Sequence, residues 1–382
     1  MQVLNLKNYK EQGSNDTYIG RGSQASNPFA MSDFRNDRNL VVSLHREYFL
    51  SQLANSTDVA KFIWSIPIDN NVLCYCNPLA CHGDVIAEFR NETKGMEFKE
   101  ARAYFLRKYD YEFLPQLESI THINIYSKSL TDLGKMTSNF AYSPFEHPKY
   151  GRFNSMEAFW FYVGTGFQYG ELRNLHGMQA KAMGSKIPKV QVDNFEGLIE
   201  EGIRCKVEQT PILQQMLTEN HLPFKHYVFY GNVDNCKVIK GAGGGLLERT
   251  YSQISRELGV SYKVIIAGSR TIADIRWLTR LVVDSKYRIS EIVEGGAKGV
   301  DTFGMWYGVV NNIPIKTMAV TKEEWAASKA AGMIRNGEMG KYADRAIIGI
   351  ENNSRGSTEM AKITDRLGKD NFVRHYETSR SN

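Results

Sequence analysis

The stretch Val264-Ile265-Ile266-Ala267-Gly268-Ser269-Arg270 decides the fold, because four strand-type apolar residues run directly into a glycine, a hydroxyl and a cation. A short apolar run that stops this abruptly reads as a buried strand ending in a tight turn. An amphipathic helix follows through Ile275, Leu278, Leu281 and Val282. Glu291-Ile292-Val293-Glu294 is a second strand, and it feeds Gly295-Gly296-Ala297-Lys298-Gly299-Val300-Asp301 and a helix carrying Phe303, Trp306, Val309 and Val310. Pro314-Ile315-Lys316-Thr317-Met318 and Ala346-Ile347-Ile348-Gly349-Ile350 supply two more strands. Strands alternating with helices predict a mainly parallel sheet with right-handed crossovers.

Working outward, 382 residues exceed one ordinary core and predict two to three domains. The pattern divides at residues 1–125, 126–259 and 260–382. The first block is polar at its start and then mixed. The second is mainly helical, with Leu198, Ile199, Ile203, Val207 and Ile212 at helical spacing, and it ends near the Gly241–Gly245 run and Gly259. The expected class is multi-domain α/β: a small α+β N-terminal domain, a mainly helical middle domain and a C-terminal Rossmann-like parallel-sheet domain. No stretch approaches the ~20 apolar residues of a membrane span, and the opening MQVLNLKNYKEQGSNDTY lacks a signal-peptide layout, so a cytoplasmic protein is expected. Five cysteines do not make a disulfide scaffold in a chain this long. A net charge of +5, spread along the chain, could help an anionic ligand approach but falls short of the dense basic face of a DNA binder, and ordinary solvated charge is the favoured reading.

In a parallel sheet, ligands sit at the carboxyl ends of the strands, where these glycines fall. Glycine lets the backbone approach a phosphate, and the following helix N-terminus supplies free amides, although a tight turn can need glycine with no ligand at all. Ser269, Arg270 and Lys298 add a hydroxyl and cations, and Arg335 offers a fork for a phosphate. The ordered motifs GSR, GGAxGVD, AGxxRNxxM, AD and SxGT resemble the superfamily that joins the DprA/Smf DNA-binding proteins with the "lonely guy" nucleotide phosphoribohydrolases. That resemblance implies a Rossmann-like nucleotide-binding domain. Its pocket would be lined by Gly268, Ser269, Arg270, Gly295, Gly296, Gly299 and Asp301, and further by Arg335, Asn336, Gly356, Ser357 and Thr358. The catalytic glutamate of the phosphoribohydrolases falls on Met360 here, with Glu359 one residue short, which implies binding without hydrolysis in this block.

In the middle block, Ser155-Met156-Glu157 reads as a helix start, with Ser155 as cap and Glu157 in the first turn. On that basis alone Glu157 is a macrodipole carboxylate, and Phe153, Phe159, Trp160, Phe161 and Tyr162 are core. Ser138-Asn139-Phe140 with Pro144-Phe145, the Ser155–Glu157 start and Gln179-Ala180-Lys181-Ala182-Met183-Gly184 resemble the NADAR family of N-glycosidases, particularly a phage-encoded branch. The resemblance implies Glu157 as acid/base or water activator, Asn139 and Phe140 as base contacts and Lys181 as a phosphate contact. A carboxylate suits a transition state of oxocarbenium type. The family's histidine after the glutamate is Ala158 here, and its WGxG segment is not recognisable in residues 227–245.

The first block carries Gly20-Arg21-Gly22-Ser23 with Asn27-Pro28-Phe29, and later Cys74-Tyr75-Cys76-Asn77-Pro78-Leu79-Ala80-Cys81-His82. The pair resembles an uncharacterised small domain found beside NADAR-like domains. Arg21, Ser23, Asn27, Cys81 and His82 are candidates for phosphate or base contacts. Cys74, Cys76, Cys81 and His82 are also the only metal candidates, but adjacency of Cys81 and His82 predicts strain in a shared tetrahedron, and reduced, partly buried thiols are the default expectation. No cofactor is expected. The resemblances converge on a nucleotide or ADP-ribose/NAD-derived ligand, with N-glycosidic cleavage or sequestration of a nucleotide second messenger as the two expectations. Either role would fit a phage counter-defence protein; family analogy implies a dimer, no membrane contact is expected, and DNA binding in the manner of DprA is a third reading that the modest charge disfavours.

Overall fold

The computed structural model describes residues 1–9, 16–241 and 243–377; Ala242, inside the glycine run, lies outside them. Tyr262–Gly268 forms the centre of a five-stranded parallel sheet. Ile289–Glu294 and then Ile315–Thr317 extend it on one side, and Arg345–Ile350 and then Asn371–His375 on the other. Alternate residues of the central strand face opposite layers. Val264 and Ile266 join one core with helices Ile275–Asp284 and Val300–Val310, while Ile265 and Ala267 join a second core with helices Ala331–Tyr342 and Arg355–Arg366. Helices on both faces explain why these strands are apolar throughout rather than alternating. The four strands read from the sequence are present. The fifth, Asn371–His375, is an edge strand whose polar, half-exposed residues carry little strand signal.

In the first block, short parallel strands Val3–Asn5, Val72–Cys74 and Thr17–Tyr18 pack with helices Arg38–Ala54, Asp58–Ser65, His82–Glu92 and Phe98–Lys108. Phe49, Phe89 and Phe105 are fully buried at its centre, with Phe89 edge-on to Phe49 at 5.2 Å and to Phe105 at 5.1 Å.

The middle block places helices Met156–Gly164, Gly177–Gly184, Phe195–Glu208, Pro211–Glu219 and Gly244–Leu258 around one aromatic core. It also holds two hairpins, Phe145–His147 with Gly151–Phe153 and Tyr227–Asn232 with Asn235–Lys240. The second hairpin departs from the mainly helical expectation, and Tyr227-Val228-Phe229-Tyr230 carries the aromatic and β-branched content that favours strands. Its Phe229, Cys236 and Val238 pack on the core of the first block.

The blocks are joined by shared cores and by arginines. Phe34, Leu40, Val41 and Leu44 from the first block lie in the same core as Val264, Leu278 and Phe303 of the C-terminal sheet. Arg276 pairs with Glu47 at 2.9 Å and donates to Tyr109 O at 2.6 Å. Arg288 donates to Asn220 O at 2.9 Å and Ser255 O at 3.3 Å, satisfying carbonyls near the ends of two middle-block helices. Among the described residues no helix is long and apolar enough to cross a membrane.

Candidate functional site

The chain first lays down the central strand, then builds one side of the sheet, then returns to the other side with Arg345–Ile350. The order therefore reverses between Tyr262–Gly268 and Arg345–Ile350, and an open α/β sheet leaves a crevice at such a point. A cleft of about 460 Å³ lies there. Gly268, Ser269, Arg270 and Thr271 line it from one turn, and Glu351, Ser354, Gly356 and Ser357 from the other. Gly268 is required by close approach, since a Cβ there would collide with Gly349 O of the adjacent strand. Helix Ala331–Tyr342 closes the cleft with Arg335, Asn336 and Met339, and Asp301 and Met360 complete its wall.

Several donors in this cleft are unspent. Arg270 and the Asn336 side-chain amide have no hydrogen-bond partner among the described residues, and Arg335 Nε is buried without one. Helix Arg355–Arg366 begins at the cleft, so its first amides have no intrahelical acceptor and its dipole presents positive charge. Ser269 is differently engaged: its hydroxyl accepts from Glu351 N at 2.8 Å and lies 3.3 Å from Glu351 O, stapling the two turns together. Thr271 Oγ1 holds the Glu351 carboxylate. Met360 is buried in the wall, while Glu359 pairs with Arg366 at 2.6 Å and does not line the cleft.

The Gly295–Gly299 turn, expected to cradle phosphate, is occupied by carboxylates of the chain itself. Gly295 N and Ala297 N donate to Asp301 Oδ2 at 3.0 and 3.4 Å, and Gly296 N donates to Glu294 Oε2 at 2.7 Å. Gly299 N donates to Asp37 Oδ2 at 2.6 Å. Gly299 has φ +73°, and a Cβ on it would strike Ser269 O, so this glycine is needed for packing of one turn on the other. Gly295, Gly296, Gly299 and Thr358 do not line the cleft; Lys298 is exposed and also outside the lining. Arg35 grips the fully buried Glu294 with two bonds of 2.7 and 2.6 Å. Burial pushes the Asp301 carboxyl up to about 6, opposed by Arg335 at 3.9 Å and reinforced by Glu294.

In the middle block Ser155 Oγ caps helix Met156–Gly164 by accepting from Ala158 N at 3.1 Å, as its sequence predicts. Glu157 sits in the first turn with only 8% of its side chain exposed. Its amide donates to Asn139 O at 2.8 Å, which brings the Ser138-Asn139-Phe140 segment against the helix start. Burial raises the Glu157 carboxyl above its ordinary value, opposed by Lys181 at 3.8 Å and by Lys189. Asn139 Oδ1 is buried without a hydrogen-bond partner, and Phe140 is half-buried. Lys206 was missed by sequence reading. It is fully buried, donates to Met136 O at 2.6 Å and Ser138 O at 3.3 Å, and is pushed down to about 7 by burial. The available signal was position, for Lys206 lies on the same helical face as Ile199 and Ile203.

In the first block a cavity of about 300 Å³ is lined by Arg21, Asn27, Arg38 and the group Cys74, Cys76, Cys81 and His82. Ser23 is not part of this wall, and its Oγ is buried without a partner.

A family model described as a domain of unknown function (DUF4326) matches residues 4–92. The match spans both motifs of the first block and brings no activity with it. No curated protein and no solved structure matches the chain.

Proposed function

We propose that this protein binds a nucleotide or an ADP-ribose/NAD-derived ligand and hydrolyses an N-glycosidic bond at Glu157. The binding half rests on the C-terminal cleft, whose unpaired Arg270, Asn336 amide and helix N-terminus are donors suited to a phosphate. The observation that carries the chemistry is the Glu157 carboxyl, buried, raised and flanked by Lys181. A carboxylate there can take a proton from water as it attacks the anomeric carbon, while its negative charge offsets the developing oxocarbenium ion. The base leaves with the electrons of the glycosidic bond. Lys181 and Lys189 would hold the ligand's phosphate beside the glutamate. The NADAR-like motif around Ser138–Phe140 supports the same reading, under which the protein would serve phage counter-defence.

The test is incubation with NAD, ADP-ribose, ADP-ribosylated nucleic acid and modified nucleotides, followed by chromatography. Release of free base by wild type and not by Glu157→Gln is expected; identical profiles remove the catalytic claim. A second reading, a non-catalytic sponge for a nucleotide messenger, is favoured by Met360 standing in the cleft wall where the resemblance would require glutamate. Tight binding with intact ligand recovered after denaturation would establish it.

A further inference from the structure

The group Cys74, Cys76, Cys81 and His82 takes no part in the proposed glycosidase chemistry, yet the fold assembles it from three separate elements. Cys74 ends the strand Val72–Cys74, Cys76 lies in the following loop, and Cys81 caps helix His82–Glu92, which His82 begins. The three sulfurs lie within 4.8 Å of one another. His82 Nδ1 is 3.6 Å from Cys81 Sγ and 3.9 Å from Cys74 Sγ. Zinc–sulfur bonds of about 2.3 Å and zinc–nitrogen bonds of about 2.0 Å give tetrahedral edges of about 3.8 Å between sulfurs and about 3.5 Å between sulfur and nitrogen. The two His82 separations match such edges, and the set closes to four when the Cys76 side chain, which lies farther from Nδ1, turns toward the ion. Despite their adjacency, the helix start brings Cys81 Sγ and His82 Nδ1 within 3.6 Å of each other.

Three further features fit a metal. His82 Nε2 is 2.9 Å from Ile19 O, so the ring donates its Nε2–H to that carbonyl and leaves the Nδ1 lone pair facing the sulfurs. This is the outer-shell bond that metal-bound imidazole ordinarily makes. Gly83 N donates to Cys81 Sγ at 3.3 Å, a bond that supports thiolate charge on that sulfur. His45, itself buried, stands edge-on to His82 at 5.1 Å and shields it from water.

We propose that Cys74, Cys76 and Cys81, together with His82 Nδ1, form a structural zinc site. Binding replaces thiol protons with one metal ion and ties the strand, the loop and the helix of the first block together. Four protein ligands saturate the ion, so its role is to hold the wall of the adjoining cavity and not to activate water.

The full chain, purified in reducing buffer without chelator, is to be assayed for zinc by mass spectrometry, then exchanged with cobalt for absorption spectroscopy. Stoichiometric zinc is expected, and cobalt should give thiolate charge-transfer bands with strong tetrahedral ligand-field bands. Cys76 is the most accessible of the three thiols, and Cys76→Ser should reduce the charge-transfer intensity by about a third while the chain stays folded by circular dichroism. Absence of both metals from the folded wild-type chain overturns the site, as does a cobalt spectrum without thiolate bands or one unchanged in Cys76→Ser. A Cys74–Cys81 disulfide in protein kept under reducing conditions overturns it equally.

Discussion

Asp37 Oδ2 accepts the Gly299 amide at 2.6 Å, while its other oxygen accepts Leu40 N at 3.3 Å. One carboxylate thus caps two helices, Arg38–Ala54 of the first block and Val300–Val310 of the C-terminal sheet. Both helix starts are positive dipole ends, and Asp37 is almost fully buried between them.

Asp37→Ala should destabilise the protein by about 2 kcal/mol, the loss of two caps, as measured by urea unfolding. Affinity for ADP-ribose should stay unchanged, since Gly299 lies outside the cleft lining. Stronger binding in the variant would mean that Asp37 was masking a phosphate site.

Glu157→Gln should abolish base release and also change the pH dependence of stability. Burial raises the folded carboxyl above its ordinary 4.5, so the folded state holds this proton more tightly than the unfolded chain. Its stabilising contribution is complete below the unfolded value and is lost as pH climbs through the folded one. Glutamine has no charge to bury, so the variant should be at least as stable as wild type at neutral pH, with the advantage vanishing in acid. Thermal unfolding across pH measures this; a variant less stable than wild type at neutral pH contradicts it.

Asp301 should make ligand binding tighten in mild acid. Its carboxyl is pushed up to about 6, faces Arg335 and Glu294, and lines the cleft. Above that value it repels a diphosphate; below it the charge is gone. The affinity for ADP-ribose, read by calorimetry, should rise about fivefold as pH falls through this range, and Asp301→Asn should flatten the profile. An equally steep profile in Asp301→Asn would assign the effect elsewhere.

Lys206→Met should be more destabilising at alkaline than at acid pH. Its folded value near 7 lies below the ordinary 10.5, so wild-type stability rises with pH between those two values and is lost as pH drops toward the lower. The Met136 and Ser138 carbonyls lose their donor in the variant at any pH, at a cost of about 1–3 kcal/mol. Denaturant unfolding in mildly acid and alkaline buffer would reveal the difference, and a pH-independent loss would show that Lys206 is charged in the folded state throughout.

The C-terminal sheet was legible because each strand is an apolar run cut off by a turn, a local signal that packing on both faces reinforces. Asn371–His375 was not, since an edge strand of Asn, Phe, Val, Arg and His has no such pattern. Ser155 and Glu157 were readable as a cap and a first-turn acid. The burial of Glu157 and its approach to Lys181 depend on how distant segments meet. The Gly295–Gly299 turn misled for the same reason: a glycine-rich helix start attracts any anion, and sequence does not say that Asp37, Glu294 and Asp301 reach it first. Lys206 was hidden because a lysine within a helical stripe looks like surface until its carbonyl acceptors are seen.

The helix Arg38–Ala54 contributes Leu40, Val41 and Leu44 to the sheet's core and Phe49, Leu50 and Leu53 to its own. Such a helix makes the architecture resistant to recombination. Grafting the C-terminal module onto another protein would strip Leu278 and Ile275 of their cover and leave a sticky face, and transplanting residues 4–92 would uncover the other side of the same helix. A chain cut at either seam is therefore expected to aggregate, because each cut uncovers one apolar side of that helix.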